Sequence, residues 1–120
     1  MDKSTTLFEL RKDLAQAMVA PVEYMETKFG TDFNGLPEGL RLGYANYWIA
    51  GVPPGSFLRA VVCDQFRLAV IKADAVNLAN ITSIAKWMHN EGDPNCLGKN
   101  AAEWMETGGY FGRLRKRVVA

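Results

Sequence analysis

Apolar residues recur at helical spacing in several segments of the chain, and proline and glycine residues separate these segments. In the first segment, four apolar residues share one helix face: Leu7, Leu10, Leu14 and Met18. Thr6, with Glu9 three residues later, predicts the N-terminal cap of this helix. Pro21 then ends the helix, kinks it or opens a second helix, which Gly30 closes.

An aromatic stripe identifies the next helix, between Pro37 and Gly51. Its apolar positions lie one or two helical turns apart: Leu40, Tyr44, Tyr47 and Trp48. Proline suits the first position of a helix and glycine suits the position after its end. The pattern therefore predicts a helix with one buried aromatic face.

The longest apolar segment follows a stiff corner at Pro53-Pro54-Gly55. Ser56 is the expected N-cap of a helix that continues through Lys72. Apolar residues surround most of this helix, which predicts a central position. A strand over Leu58–Val62 is the alternative, because β-branched runs are ambiguous, but the length and the missing alternation favour a helix.

Two more helices are expected before the C-terminal end. One has an apolar stripe and stops at Gly92; the stripe comprises Leu78, Ile81, Ile84 and Met88. Asn100, with Glu103 three residues later, predicts the cap of a short helix that ends at Gly108-Gly109.

These segments predict a mostly α fold, with about five to six short helices in a single compact domain. A chain of 120 residues is the size of one domain. Its 48% hydrophobic and 22% charged residues argue against a disordered chain. Short connections favour antiparallel neighbours, so we expect a bundle-like helical domain over residues 1–112 and a basic C-terminal tail over residues 113–120.

Positive charge is concentrated in that tail. The whole chain has a net charge of +1. The tail carries +4, from Arg113, Arg115, Lys116 and Arg117, and subtracting it leaves −3 for residues 1–112. A basic tail on an acidic body is suited to an anionic ligand, to nucleic acid or to the acidic face of a neighbouring subunit. A solvated, frayed terminus is the alternative interpretation.

Residues for catalysis and metal binding are scarce. His89 is the one histidine, and Cys63 and Cys96 are too few for a four-thiolate metal site or a disulfide scaffold. Carboxylates at helical spacing, such as Glu23 and Glu26, are more often a solvated face than a cation site. The sequence therefore predicts no enzyme, no metal and no cofactor.

Two further groups of residues are candidates for ligand binding. Gly55, Ser56 and Arg59 stand at a predicted helix start, where free N–H groups and a partial positive charge can hold a phosphate. The alternative is a stiff corner with an ordinary serine cap. Three aromatic residues, Tyr44, Tyr47 and Trp48, suit a nucleobase, although such a stripe is more often core or a subunit contact.

No secretory signal or membrane span is visible, because charged residues interrupt every apolar run. We therefore expect a cytoplasmic protein with no membrane partner and with both cysteines reduced.

The segment Leu36–Val61, with its run Gly51-Val52-Pro53-Pro54-Gly55-Ser56-Phe57-Leu58, resembles small proteins encoded by tailed phages and prophages. The resemblance extends over residues 36–109 and includes Ala73–Leu78, Trp87–Asn90 and Cys96–Gly98. It implies a phage accessory protein that works in the host cytoplasm. Small non-enzymatic phage proteins often counter host immunity by sequestering nucleotide signals or by blocking a defence protein. The resemblance assigns no binding residues.

The function predicted from these observations is non-catalytic binding and sequestration of an anionic, nucleotide-like small molecule by a homo-oligomer. In this hypothesis the Arg113–Arg117 segment of one chain closes over the aromatic surface of another. A protein-binding inhibitor or adaptor of a host defence protein is the first alternative. A nucleic-acid-binding accessory protein is the second, and the −3 charge of residues 1–112 disfavours it.

Overall fold

The computed structural model describes residues 3–119, with side chains from residue 7 onward. Over these residues the chain is mostly helical and contains no strand, which confirms the mostly α fold class. The nine helices are α1 (Lys3–Val19), α2 (Pro21–Phe29), α3 (Glu38–Ala50), α4 (Ser56–Val62), α5 (Phe66–Lys72), α6 (Ala75–Ala79), α7 (Ile81–Glu91), α8 (Ala101–Thr107) and α9 (Gly109–Val119). Two 3₁₀ turns, Pro94–Cys96 and Gly98–Asn100, join α7 to α8. The described residues thus form more helices than the five or six predicted.

Several helix ends lie where the sequence predicts them. Gly30, Gly51 and Gly108 follow α2, α3 and α8 in the left-handed conformation, with φ of 69°, 72° and 88°. Pro21 opens α2 as a separate helix. The cap predicted at Thr6 is wrong, because α1 already begins at Lys3; the Thr6 side chain lies outside the described residues.

The long helix predicted from Ser56 to Lys72 is wrong, because the chain breaks into α4 and α5. Asp64 takes a left-handed φ of 60°, and the Gln65 N–H donates to the carbonyl of Ala60 at 2.9 Å. Aspartate tolerates this conformation better than most residues. The resulting turn packs α5 against α4.

Helix α3 takes the central position that the sequence assigns to the Ser56–Lys72 helix. It packs against α1, α2, α4, α8 and α9. The side chains of Tyr44, Ala45, Tyr47 and Ile49 are at most 1% exposed. The aromatic stripe is therefore the core of the fold, as the more conservative interpretation predicts.

The C-terminal end of α3 lies directly against the start of α9. A Cβ atom on Gly51 would come within 2.7 Å of the Gly109 nitrogen, and a Cβ atom on Gly109 within 2.5 Å of the Gly51 nitrogen. Such an approach requires glycine on both sides. The contact fixes the corner between α8 and α9 against α3.

The basic segment predicted as a tail is part of a packed helix. Helix α9 runs across the boundary predicted at residue 112 and packs against α1 and α3. Phe111 is buried and Leu114 packs against the core, which anchors one side of the helix. Residues 1–2 and 120 lie outside the described residues. No helix in the described range is long and apolar enough to cross a bilayer.

Candidate functional site

Side chains from α3, α8 and α9 meet at a surface corner. Trp104 on α8 is buried, and its Nε1–H donates to the carbonyl of Tyr47 on α3 at 3.1 Å. The Arg113 guanidinium carbon lies 5.2 Å from the centroid of the Trp104 ring, within range of a cation–π interaction. The corner therefore holds an arginine beside a fixed indole ring.

A cluster of aromatic rings forms one wall of this corner. Trp48 and Tyr110 stack, with ring centroids 4.7 Å apart and planes at 15°. Phe29 meets both rings edge-on, at 5.0 and 5.1 Å. Phe29 is exposed and Tyr110 is half-buried, so part of this ring surface faces solvent.

Two adjoining depressions open at the corner, and together they form what we term the aromatic–basic recess. Their volumes are about 370 and 380 Å³, at the lower end of small-ligand pockets. Both are lined by Asn95, Trp104, Arg113 and Arg117. The first depression adds Asn100, Glu103, Thr107 and Lys116. The second adds Phe29, Trp48, Asp93, Tyr110 and Leu114.

The recess lining has a surplus of positive charge. Arg113, Lys116 and Arg117 supply three cations, whereas Asp93 and Glu103 supply two carboxylates. Arginine binds phosphate and carboxylate groups with paired, charge-assisted hydrogen bonds. The mixture of charges suits a ligand that carries both an anionic group and N–H donors, as a nucleotide does.

The Asp93 carboxylate is engaged by neighbouring N–H donors. It accepts hydrogen bonds from the backbone N–H and the side-chain amide of Asn95, at 2.9 and 3.0 Å. The Trp48 Nε1–H is a third donor, at 3.4 Å. This carboxylate therefore orders the loop and the Trp48 indole.

Four of the residues predicted from the sequence line the recess: Trp48, Arg113, Lys116 and Arg117. They come together within one chain, so a second subunit is not needed to bring the aromatic and basic groups into contact. Arg115 is exposed and lies outside the lining, because two residues turn an α-helix by about 200°.

Tyr44 and Tyr47, also predicted as ligand-binding residues, lie in the core at 1% and 0% exposure. The Tyr47 hydroxyl donates to the carbonyl of Cys96, and the Tyr44 hydroxyl lies 3.8 Å from the Cys96 Sγ. Burial raises the pKa of both phenols above their usual value. Their position suits them to hold the Pro94–Cys96 turn against α3, next to Asp93 and Asn95, which line the recess.

The predicted anion site at Gly55, Ser56 and Arg59 lies outside the recess. Gly55 rather than Ser56 is the N-cap of α4, and no side chain caps this end, so the predicted serine cap is wrong. Ser56 and Arg59 are both exposed. With only seven residues, α4 has too short an aligned dipole to make this end a strong anion site.

Sequence reasoning missed several lining residues: Phe29, Asp93, Asn95, Asn100, Glu103 and Thr107. Tyr110, next to the basic segment, is a base-stacking candidate in the sequence, and Trp104 is a candidate for a ligand pocket or the core. The sequence assigns Asn100 and Glu103 to a helix cap, without any link to the cations of α9. A further local signal for the recess is the Gly108-Gly109 pair. It predicts a helix end, and in the structure it turns the chain so that α9 lies beside α8.

A larger concavity, the α4–α7 groove, lies on another surface, between α4–α5 and α7. Its volume is about 640 Å³. Most of its lining is apolar and includes Val62, Phe66, Ala69, Ile84, Met88 and Leu97. The polar side chains in its lining are Asp64, Gln65 and His89, which do not form a cationic cluster. The groove is therefore a poorer anion site than the recess.

The Cys96 thiol is buried, and the described carboxylates are not grouped around a metal site. Burial raises the pKa of the Cys96 thiol to about 12, so this thiol stays protonated at neutral pH and is a poor nucleophile. Within residues 3–119, no group of three His, Cys, Asp or Glu side chains is placed to hold a metal ion.

No protein-family model matches this chain, and no curated protein or solved structure is significantly similar to it. The function proposed below therefore rests on the geometry of the recess.

Proposed function

We propose that this chain is a non-catalytic protein that binds an anionic, nucleotide-like small molecule in the aromatic–basic recess. The observation that carries the proposal is the convergence of Trp48, Arg113, Lys116 and Arg117 at one concave surface. Guanidinium groups supply directional hydrogen bonds to phosphate. The neighbouring rings supply a surface on which a planar base can stack.

The shape of the recess narrows the class of ligand. Arg113 and Arg117 line both depressions. A phosphate held by these two arginines would leave one depression on each side for the rest of the molecule. This arrangement favours a ligand whose phosphate carries substituents on both sides, as in a dinucleotide, over a free phosphate.

Sequestration is the proposed consequence of binding. The lining offers guanidinium, ammonium and amide donors together with ring faces, which hold a ligand without transforming it. The resemblance to phage proteins implies that the ligand is a nucleotide signal of host immunity and that sequestration takes place in the host cytoplasm. The identity of the ligand and the place of its sequestration are both part of the proposal.

Isothermal titration calorimetry against a panel of cyclic and linear mono- and dinucleotides tests the proposal. We expect saturable binding of at least one nucleotide. Arg113→Ala and Arg117→Ala should each weaken that binding about tenfold or more, because each removes a charge-assisted hydrogen bond. Arg115→Ala is the matched control: it removes the same charge from the same helix outside the recess and should leave the affinity unchanged.

Three results would contradict the proposal. The first is the absence of both heat and thermal shift with every nucleotide. The second is an equal loss with Arg115→Ala, which would indicate diffuse attraction to a polyanion and favour nucleic acid. The third is a tight, stoichiometric host protein partner without nucleotide binding, which would favour the inhibitor hypothesis.

A further inference from the structure

The surface formed by α5 and α6 exposes much apolar area. Six large apolar side chains are at least one-third exposed: Phe66, Leu68, Val70, Ile71, Val76 and Leu78. Phe66 and Ile71 are the extreme cases, at 70% and 71%. Together these side chains expose roughly 500 Å² of apolar surface around α5 and α6, as much as the largest apolar patches on monomeric proteins. We term it the α5–α6 patch.

These exposed side chains contribute little to the stability of the monomer, because few residues of α5 and α6 are buried. Ala69 is the one buried residue of α5, and α6 has none. A seven-residue helix is too short to be stable by itself in water, so α5 depends on packing. Within the described residues its main packing partner is α4. Contact with another surface would remove the patch from water and hold α5 in place.

The patch borders the α4–α7 groove, and Phe66 belongs to both. One face of the molecule therefore carries an apolar projection beside an apolar concavity of about 640 Å³. A surface that binds a copy of itself across a twofold axis needs this self-complementarity. Patch and groove together approach the roughly 800 Å² that each partner buries in a standard interface.

The charges around the patch also favour a second copy of the chain. Asp64 and Arg67 lie at the N-terminal end of α5, and Lys72 and Asp74 lie at its C-terminal end. If two copies of α5 meet in antiparallel orientation, each end presents one acid and one base to the other copy. Like charges are not forced together, and two ends without net charge give an anionic lipid surface no electrostatic attraction.

We infer that the α5–α6 patch and the α4–α7 groove form the interface of a homodimer, in which the α5 projection of each copy enters the groove of the other. The inference does not rest on the proposed ligand, because the patch contributes no residue to the aromatic–basic recess. It names the surface through which the expected homo-oligomer assembles, and this surface shares no lining residue with the recess.

Light scattering coupled to size-exclusion chromatography, over a concentration series, tests this interface with the full chain. We expect a dimeric mass for the wild type. Phe66→Asp and Ile71→Asp should each raise the dimer dissociation constant about thirtyfold or more, the effect of losing an interface hot spot. Phe8→Asp is the matched control, because Phe8 on α1 is 69% exposed and lies outside the patch.

Circular dichroism checks that each variant remains helical. Val76→Asp on α6 is a further variant of the patch, and it should also weaken the dimer. A wild type that stays monomeric at every concentration would overturn the inference, as would a dimer that dissociates equally with Phe8→Asp. A monomer whose patch instead binds lipid vesicles or a different protein, with loss in Phe66→Asp, would also overturn it. Unchanged nucleotide titrations with Phe66→Asp would separate this interface from the recess.

Discussion

At the residue scale, Cys96 connects α3 to the loop that lines the recess. Its side chain is 0% exposed, and its Sγ donates to the carbonyl of Asp93 at 3.1 Å. Its own carbonyl accepts the hydrogen bond from the Tyr47 hydroxyl. The cysteine thus has a structural role, and its thiol is stabilised in the protonated form because burial raises its pKa.

This raised pKa predicts that the protein loses stability at alkaline pH. The pKa of Cys96 is about 12 in the folded chain and has an ordinary value of 9.0, so its stabilisation is complete below pH 9 and is lost as the pH rises towards 12. The free energy of unfolding, measured with urea, should fall by roughly 1 kcal/mol per pH unit above pH 9.

Two cysteine variants isolate this effect. Cys96→Ala should make the decline between pH 9 and pH 10 clearly shallower, because the ordinary pKa of this thiol, 9.0, lies one unit below that of the tyrosines, 10.0. Cys63→Ala should retain the wild-type decline. Above pH 10 the buried phenols of Tyr44 and Tyr47 add a decline of the same sign, because burial raises their pKa as well. An unchanged decline in Cys96→Ala would refute the assignment.

At the element scale, the recess depends on how α9 is placed against α3 and α8. The backbone contact between Gly51 and Gly109 brings the start of α9 to the end of α3. Stacking of Tyr110 on Trp48 and packing of Arg113 over Trp104 follow immediately along α9. One tight glycine contact therefore sets the position of both the aromatic wall and the first cation.

Gly109→Ala should destabilise the protein by about 3 kcal/mol, because it adds backbone strain and overpacking. The new Cβ would lie 2.5 Å from the Gly51 nitrogen, at a residue whose φ is +69°. Gly39→Ala is the control, because Gly39 lies within α3 and a Cβ atom added there meets nothing within 4 Å. This substitution should leave the stability unchanged or raise it by up to about 1 kcal/mol. Urea denaturation measures both, and equal stabilities would contradict the close contact.

At the scale of the whole molecule, two surfaces with different chemistry share the loop between α7 and α8. The recess combines aromatic and cationic groups from α2, α3, α8 and α9 with the loop before α8. The patch and groove combine apolar groups from α4 to α7 with Pro94 and Leu97 of the same loop. The longest dimension of the chain is 50 Å. This division allows a dimer to form through one surface while the other stays open to a ligand.

Removal of residues 113–120 should destabilise the entire fold, because the second half of α9 is packed and is not a free tail. The deletion removes Leu114, which is partly buried against the core, and should cost about 1–2 kcal/mol, less than the loss of a fully buried leucine side chain. Arg115→Ala removes charge without this packing and should unfold at the wild-type temperature. Differential scanning calorimetry measures both. A deletion variant with an unchanged melting temperature would show that this half of α9 contributes no packing.

The sequence by itself determined the helical class and many of the helix ends, because periodicity, proline starts and glycine caps depend on residues close together in the chain. It also identified Trp48, Arg113, Lys116 and Arg117 as candidates, but as separate features. Only the tertiary structure decided that these residues share one recess, and that Tyr44 and Tyr47, on the same helix as Trp48, are buried. The physical reason is that the recess extends in sequence from Phe29 to Arg117, so its assembly depends on helix packing and on one glycine contact, which local propensity does not encode.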